Sequence, residues 1–233
     1  MTHLFSGDPA CSRSGESTTF ALQAHGFLVH YCFLHKRLLN STKRYSAMKD
    51  PFGFIAPFYD YFLGSRFRPD LAKLLKLPTK GFLLDAGGGT GRVSAHFQFL
   101  AKKVVVCDLS FPMLLQAIHK GSIISLQTCA ERLPFKDNSF DRILVVDALH
   151  HFYDQRQAIG EMIRVLKPRG RMVIEEPDIN LFAVKMVALA ERFLKMKSRF
   201  LSKSEIIRII SDHGLSPWAE KTRNFRTWIV VNK

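Results

Sequence analysis

The residues best suited to chemistry are Asp85-Ala86-Gly87-Gly88-Gly89-Thr90-Gly91, which follow directly on the apolar run Phe82-Leu83-Leu84. Glycines at such a place let the backbone turn tightly and let a ligand approach main-chain atoms with no Cβ in the way. If the apolar run is a strand of a parallel sheet, the loop lies outside its carboxyl end, where such sheets bind ligands. A glycine-rich loop alone is equally compatible with a plain structural turn. Asp108 supplies the second half of the pattern, because it ends the β-rich run Val104-Val105-Val106-Cys107. A carboxylate at the end of a second strand can accept hydrogen bonds from both hydroxyls of a ribose. Loop and carboxylate together predict a nucleoside-containing cofactor. Dinucleotide sites carry a third glycine three residues after the second. Here that position is Arg92, which argues against a nicotinamide cofactor.

These residues need strands and helices to hold them. Strands are expected at 82–84, 104–107, 123–128, 142–146 and 171–174, with two more at 215–218 and 227–231. Helices are expected over about 92–101, over 111–120 with Ser110 as N-cap, and over 155–166, where Lys167-Pro168-Arg169-Gly170 ends the run. Leu181–Met196 has helical periodicity with a basic side. Ser202-Lys203-Ser204-Glu205 has the spacing of a capping box, and Gly214 closes the helix it opens. Strands and helices alternating at this spacing predict an α/β fold. The expected form is a Rossmann-like, doubly wound, mostly parallel seven-stranded sheet with an antiparallel edge strand and a helical cap.

The chain has 233 residues, enough for one such domain with an extension. Residues 1–47 mix Ser, Thr, His and short apolar runs without a persistent period, and the domain is expected over 48–233. The first segment can be read as an amphipathic anchor, a lid, or an upstream extension from a misassigned start codon. It lacks the basic start of a secretory signal, and the apolar stretch 20–39 is interrupted by His25, His30, His35, Lys36 and Arg37, too soon for a spanning helix. The four cysteines, Cys11, Cys32, Cys107 and Cys129, form no Cys-x-x-Cys pair, so neither a zinc site nor a disulfide framework is expected, and the setting reads as cytoplasmic. His25, His30 and His35 lack the i,i+4 spacing of helical metal ligands. The net charge of +14 favours contact with nucleic acid, an anionic membrane or an acidic substrate, against the plainer reading of a basic, solubilising surface.

Four ordered motifs carry a resemblance. Leu83 to Gly91, Val106-Cys107-Asp108, Ala130-Glu131-Arg132-Leu133-Pro134-Phe135 with Asp137 to Asp141, and Arg164 to Gly170 resemble the class I S-adenosylmethionine-dependent methyltransferases. The similarity is to the subgroup acting on small molecules, which includes ubiquinone/menaquinone and sterol methyltransferases. It implies S-adenosyl-L-methionine as cofactor. Its methionine end would lie on Asp85, Gly87, Gly89, Thr90 and Gly91, its ribose on Asp108 with Leu109 beside it, its adenine along Cys129 and Ala130, with Val146 across the cleft. Many relatives have an acidic or amide side chain at position 129. Cysteine there would leave the adenine amino group to backbone or to Glu131. His150 and His151 stand where the acceptor should enter and are the candidate general bases, against a structural role for both. Of Glu175, Glu176 and Asp178, at least one carboxylate should face the cleft. Tyr59 and Tyr61 could cover the cofactor, though aromatics beside Phe58 and Phe62 read equally as core. No metal is required. The expected acceptor is a small apolar or aromatic molecule, with RNA, tRNA in particular, as the alternative. The basic face of 181–199 could rest peripherally on an anionic membrane, and no stable protein partner is inferred.

Overall fold

The computed structural model describes residues 50, 52–178, 198–221 and 226–233. Seven strands form one sheet: β1 (Phe82–Ala86), β2 (Lys103–Asp108), β3 (Ile123–Gln127), β4 (Phe140–Val146), β5 (Leu166–Pro177), β6 (Trp218–Lys221) and β7 (Arg226–Asn232). Their spatial order is β3-β2-β1-β4-β5-β7-β6. The first five are mutually parallel. β7 runs antiparallel between β5 and β6. The antiparallel strand expected at the edge is therefore β7, inserted one place in from it. The chain reverses its direction of travel between β1 and β4, which makes their carboxyl ends the topological switch point where ligands enter such sheets.

Both faces of the sheet are covered, so the middles of the central strands, Leu83-Leu84, Val104-Val105-Val106, Ile143-Leu144-Val145 and Met172-Val173-Ile174, are apolar in succession rather than alternating with polar residues. Successive side chains point to opposite faces. Leu84, Val105, Ile143 and Met172 therefore pack on one side with Ile159 and Met162 of α4 (Gln155–Val165) and Ile206 and Ile210 of α5 (Lys203–Ser211). Leu83, Val104, Leu144 and Val173 pack on the other, with Leu71 of α2 (Pro69–Leu74) and Leu114 of α3 (Phe111–Ile118). The expected caps are present: the Ser110 hydroxyl accepts from Met113 N, and Ser202 with Glu205 completes a reciprocal capping box.

Two expectations change. The helix expected over 92–101 is a turn followed by 3₁₀ geometry at Ser94–Phe97. Val93, Ser94, Ala95 and Phe97 are all buried. That is more of the circumference than an amphipathic helix lays on a sheet, and the tighter i→i+3 winding accommodates it. The last strand pair begins at Trp218, three residues later than expected. The helix expected over 181–196 and the extension 1–47 lie outside the described residues. No described helix is long and apolar enough to cross a membrane.

Candidate functional site

The loop after β1 is shaped by its glycines. Gly87, Gly89 and Gly91 have φ of +71°, +54° and +66°, the left-handed region that side chains with a Cβ avoid. Gly87 N and Gly88 N both donate to the Cys107 carbonyl, at 2.8 and 3.1 Å, folding the loop across the end of β2. A Cβ on Gly87 would lie 2.7 Å from Ala148 Cβ and 2.9 Å from the Phe152 ring, so the loop can pack against the segment after β4 only as glycine. Thr90 is buried and its hydroxyl donates to Asp60 Oδ1 at 2.5 Å. Lys120 pairs with Asp60 and donates to the Thr90 carbonyl at 2.7 Å. These bonds clamp α1 (Tyr59–Leu63) onto the loop.

Asp108 stands at the end of β2 beside that loop. Its Oδ2 accepts from Gly89 N and its Oδ1 from Ser110 N, both at 2.8 Å. Each oxygen keeps a lone pair for a further donor. Burial raises the Asp108 pKa, and the two backbone N–H groups oppose the rise. Asp85 is 3% exposed, and burial lifts its pKa from 3.8 to about 6. Leu109 is 44% exposed, an apolar surface next to the carboxylate. Asp50 accepts from Phe52 N, Gly53 N and the Ser110 hydroxyl, tying the segment before α1 to the same rim.

Cys129 and Ala130 are buried at the start of the 3₁₀ turn Ala130–Arg132, and burial pushes the Cys129 thiol up to about 11. Glu131 Oε1 accepts from Tyr153 N at 2.8 Å and Asp154 N at 3.2 Å, while its Oε2 is buried with no hydrogen-bond partner. Val146 ends β4 half-buried. Beyond it, Asp147 has φ +51°. Its Oδ2 is 2.7 Å from Arg92 and 3.2 Å from Arg226, while its Oδ1 is also buried without a partner. The unpartnered oxygens beside the cradle suit a ligand that brings donors, and the residues present fit S-adenosylmethionine in that respect. Among the described residues no group of three or more His, Cys, Asp or Glu could hold a metal.

The two histidines occupy a 3₁₀ turn, Leu149–His151, at the cleft. His150 is 4% exposed, its Nδ1 lies 2.5 Å from Glu176 Oε2, and its ring stacks on Phe200 at 4.3 Å. His151 Nδ1 is 3.1 Å from the Ser198 hydroxyl. Burial, aided by His150, lowers the His151 pKa to about 3, so the ring is neutral at ordinary pH and weakly basic. The two rings thus differ: His151 is desolvated, while His150 has a carboxylate partner in Glu176. Of the carboxylates after the apolar part of β5, two are drawn into the protein by partners on other elements. Glu175 and Glu176 are both buried and fully engaged. Glu175 accepts from Arg68 at 2.7 and 3.2 Å, from Trp228 at 2.5 Å, and from Arg226. Glu176 accepts from Ala148 N at 3.0 Å and Leu149 N at 2.7 Å in addition to His150.

In the aromatic segment before α2, Phe54, Phe58, Tyr61 and Phe62 are exposed, whereas Phe52 and Tyr59 are half-buried, edge-to-face on each other, with Phe52 also against the His151 ring. Burial raises the Tyr59 pKa, and the Arg92 guanidinium beside it pulls the other way. Arg92 and Asp147 went unmarked in the sequence. Their signal was position alone: each is the first charged residue past a switch-point strand, β1 or β4.

Residues 84–174 match the family described as "Methyltransferase domain". The ubiquinone/menaquinone biosynthesis C-methyltransferase UbiE of Escherichia coli is 34% identical over 145 residues, 58% of this chain and 55% of that protein. The enzyme of the same name from Cronobacter sakazakii is 38% identical over 104 residues, 40% of this chain and 41% of that one. The chain thus spans about half the length of the curated relatives it matches. Among solved structures, YcgJ of Bacillus subtilis superposes with a TM-score of 0.58 at 27% identity, covering 65% of this chain and 68% of its own. An S-adenosylmethionine-dependent methyltransferase of Thermotoga maritima gives 0.64 at 24% identity, covering 80% of this chain and all of its own, a likeness of fold. With the glycine loop, Asp108 and the 3-2-1-4-5-7-6 sheet in place, residues 84–174 match a methyltransferase domain, and the chain resembles the S-adenosylmethionine-dependent methyltransferases, the ubiquinone/menaquinone enzymes among them.

Proposed function

We propose that the protein transfers a methyl group from S-adenosylmethionine to a small apolar or aromatic acceptor by in-line displacement. The observation that carries this reading is the meeting of the Gly87–Gly91 loop with Asp108 at the switch point, sealed by the 2.8 Å bond from Gly89 N. The cofactor supplies a methyl carbon made electrophilic by its sulfonium. The residues' task is to align donor and nucleophile and to keep water out. Asp108 would hold the ribose through its remaining lone pairs. Glu131 Oε2 would accept from the adenine amino group in place of a side chain at Cys129. Ala148 and Phe152, packed on Gly87, would wall the reaction space. The turn at His150–His151, held by Glu176, would set its floor rather than supply its base.

The acceptor class rests on the exposed apolar side chains of Phe54, Ile55, Phe58, Tyr61 and Phe62, next to the bonds that tie Asp60 to the loop. Apolar walls with few polar groups suit an aromatic molecule, and the similar UbiE enzymes are C-methyltransferases of ubiquinone/menaquinone biosynthesis. RNA is the second reading, supported by the +14 charge. Incubation with methyl-labelled cofactor and fractionated cell extract tests both, with Asp108→Ala as the control expected to lose labelling. Label in a lipid or small-molecule fraction supports the first reading. Label in RNA, with binding that weakens steeply as salt rises, would replace it by the second.

A further inference from the structure

Arg92 and Asp147 face each other across the switch point, at the exits of adjacent strands β1 and β4. They belong to a continuous row of charges: Asp70, Arg68, Glu175, Arg226, Asp147 and Arg92. Three are acidic and three basic, so the row is neutral. One atom in it is unsatisfied. Both guanidinium groups on Asp147 reach Oδ2, and Oδ1 is buried with no hydrogen-bond partner. A buried carboxylate oxygen left without a donor is unfavourable. Its residue is also held at φ +51°, a conformation costly for anything but glycine and tolerated best by Asn and Asp. Strain and an orphaned acceptor at a ligand crevice point to a site made for a bound group rather than for the empty protein.

The missing donor should be cationic, and the neutral row favours a partner with no net charge at this end. An α-amino acid zwitterion meets both conditions. We propose that Asp147 Oδ1 receives the α-ammonium group of the cofactor's methionine end, and that Arg92 releases part of its contact with Asp147 to receive the α-carboxylate. The assignment rests on the cofactor reading above and names the residues that hold its charged end. In the absence of ligand Arg92 pairs with Asp147 through Oδ2 alone, leaving Oδ1 unpartnered; the zwitterion inserts between them, its ammonium on Oδ1 and its carboxylate on Arg92. Tyr59 lies beside Arg92 at the same end.

Asp147 must be ionised to hold an ammonium. Burial raises its pKa, Arg226 and Arg92 lower it, and Glu175 and Glu176 raise it again. Affinity for a ligand carrying the ammonium group should therefore fall as pH falls through the Asp147 pKa. Affinity for a ligand without that group should not follow it.

Calorimetric titration with S-adenosylhomocysteine and with its deamino analogue, which keeps the adenosine, sulfur and carboxylate, provides the test. The wild type should prefer S-adenosylhomocysteine. Asp147→Asn, which tolerates the same backbone, should weaken S-adenosylhomocysteine by roughly 10- to 100-fold and leave the analogue nearly unchanged, abolishing the preference. Preference retained in the variant, or equal weakening of both ligands, would overturn the proposal. If circular dichroism shows that the variant does not fold, the pH dependence of both ligands on the wild type decides. Parallel curves overturn the assignment, and a preference lost toward low pH supports it. Failure of the wild type to bind either ligand is a different result, which removes the cofactor reading itself.

Discussion

Asp85 shows how a single residue trades stability for placement. It sits at the end of β1 with 3% of its surface exposed, and burial lifts its pKa to about 6 from 3.8. Between those values the folded protein holds a proton that the unfolded chain has released, so stability falls as pH rises through this window. Above pH 6 the buried charge costs on the order of 3 kcal/mol. Asp85→Asn removes that cost. The thermal midpoint of the variant should exceed that of the wild type by a margin that widens from pH 4 to pH 7 and then levels. A constant margin in differential scanning calorimetry would show that Asp85 does not titrate there. The two histidines teach the opposite lesson. Their adjacency was plain in the sequence, but the carboxylate under His150 comes from Glu176, 26 positions away, and the Ser198 hydroxyl beside His151 from 47 away. No local pattern announces such partners.

At the scale of the element, strand ends do more here than strand middles. β5 finishes in Glu175 and Glu176, whose carboxylates are spent on neighbouring elements: Glu175 on α2's leading Arg68 and on β7, Glu176 on the turn after β4. Glu176 accepts two backbone N–H bonds and one from His150, so its loss strands three donors. Glu176→Ala should cost roughly 3 kcal/mol or more in a urea titration. Glu176→Gln should recover part of this, because an amide oxygen still accepts from the backbone. An alanine variant as stable as wild type would mean that the turn does not depend on this carboxylate. Helices with caps were legible in the sequence because caps are local: Ser110 and Ser202–Glu205 stand where their spacing put them. The segment after the glycine loop was not legible. Its apolar spacing suits a helix, but the space against the sheet decided its winding.

For the molecule as a whole, the charge of +14 and the exposed aromatic rim have to be reconciled with one acceptor. The rim lies beside Asp50, which is bonded to Phe52, Gly53 and Ser110. A chain beginning at Met48 keeps all of these bonds. It is expected to fold and to bind S-adenosylhomocysteine with unchanged affinity in calorimetry. Insolubility or lost affinity would make residues 1–47 a part of the domain.

The sequence by itself determined the α/β class, the parallel core of the sheet, the glycine loop and the carboxylate after β2. Each of these depends on short-range facts: β-rich runs alternating with helical ones, the backbone freedom of glycine, a carboxylate closing a strand. Only the tertiary structure decided what Asp147, Glu175, Glu176 and the histidines do. Their energies depend on burial and on partners that arrive from distant strands. A carboxylate in water and one buried beneath two arginines are written with the same letter.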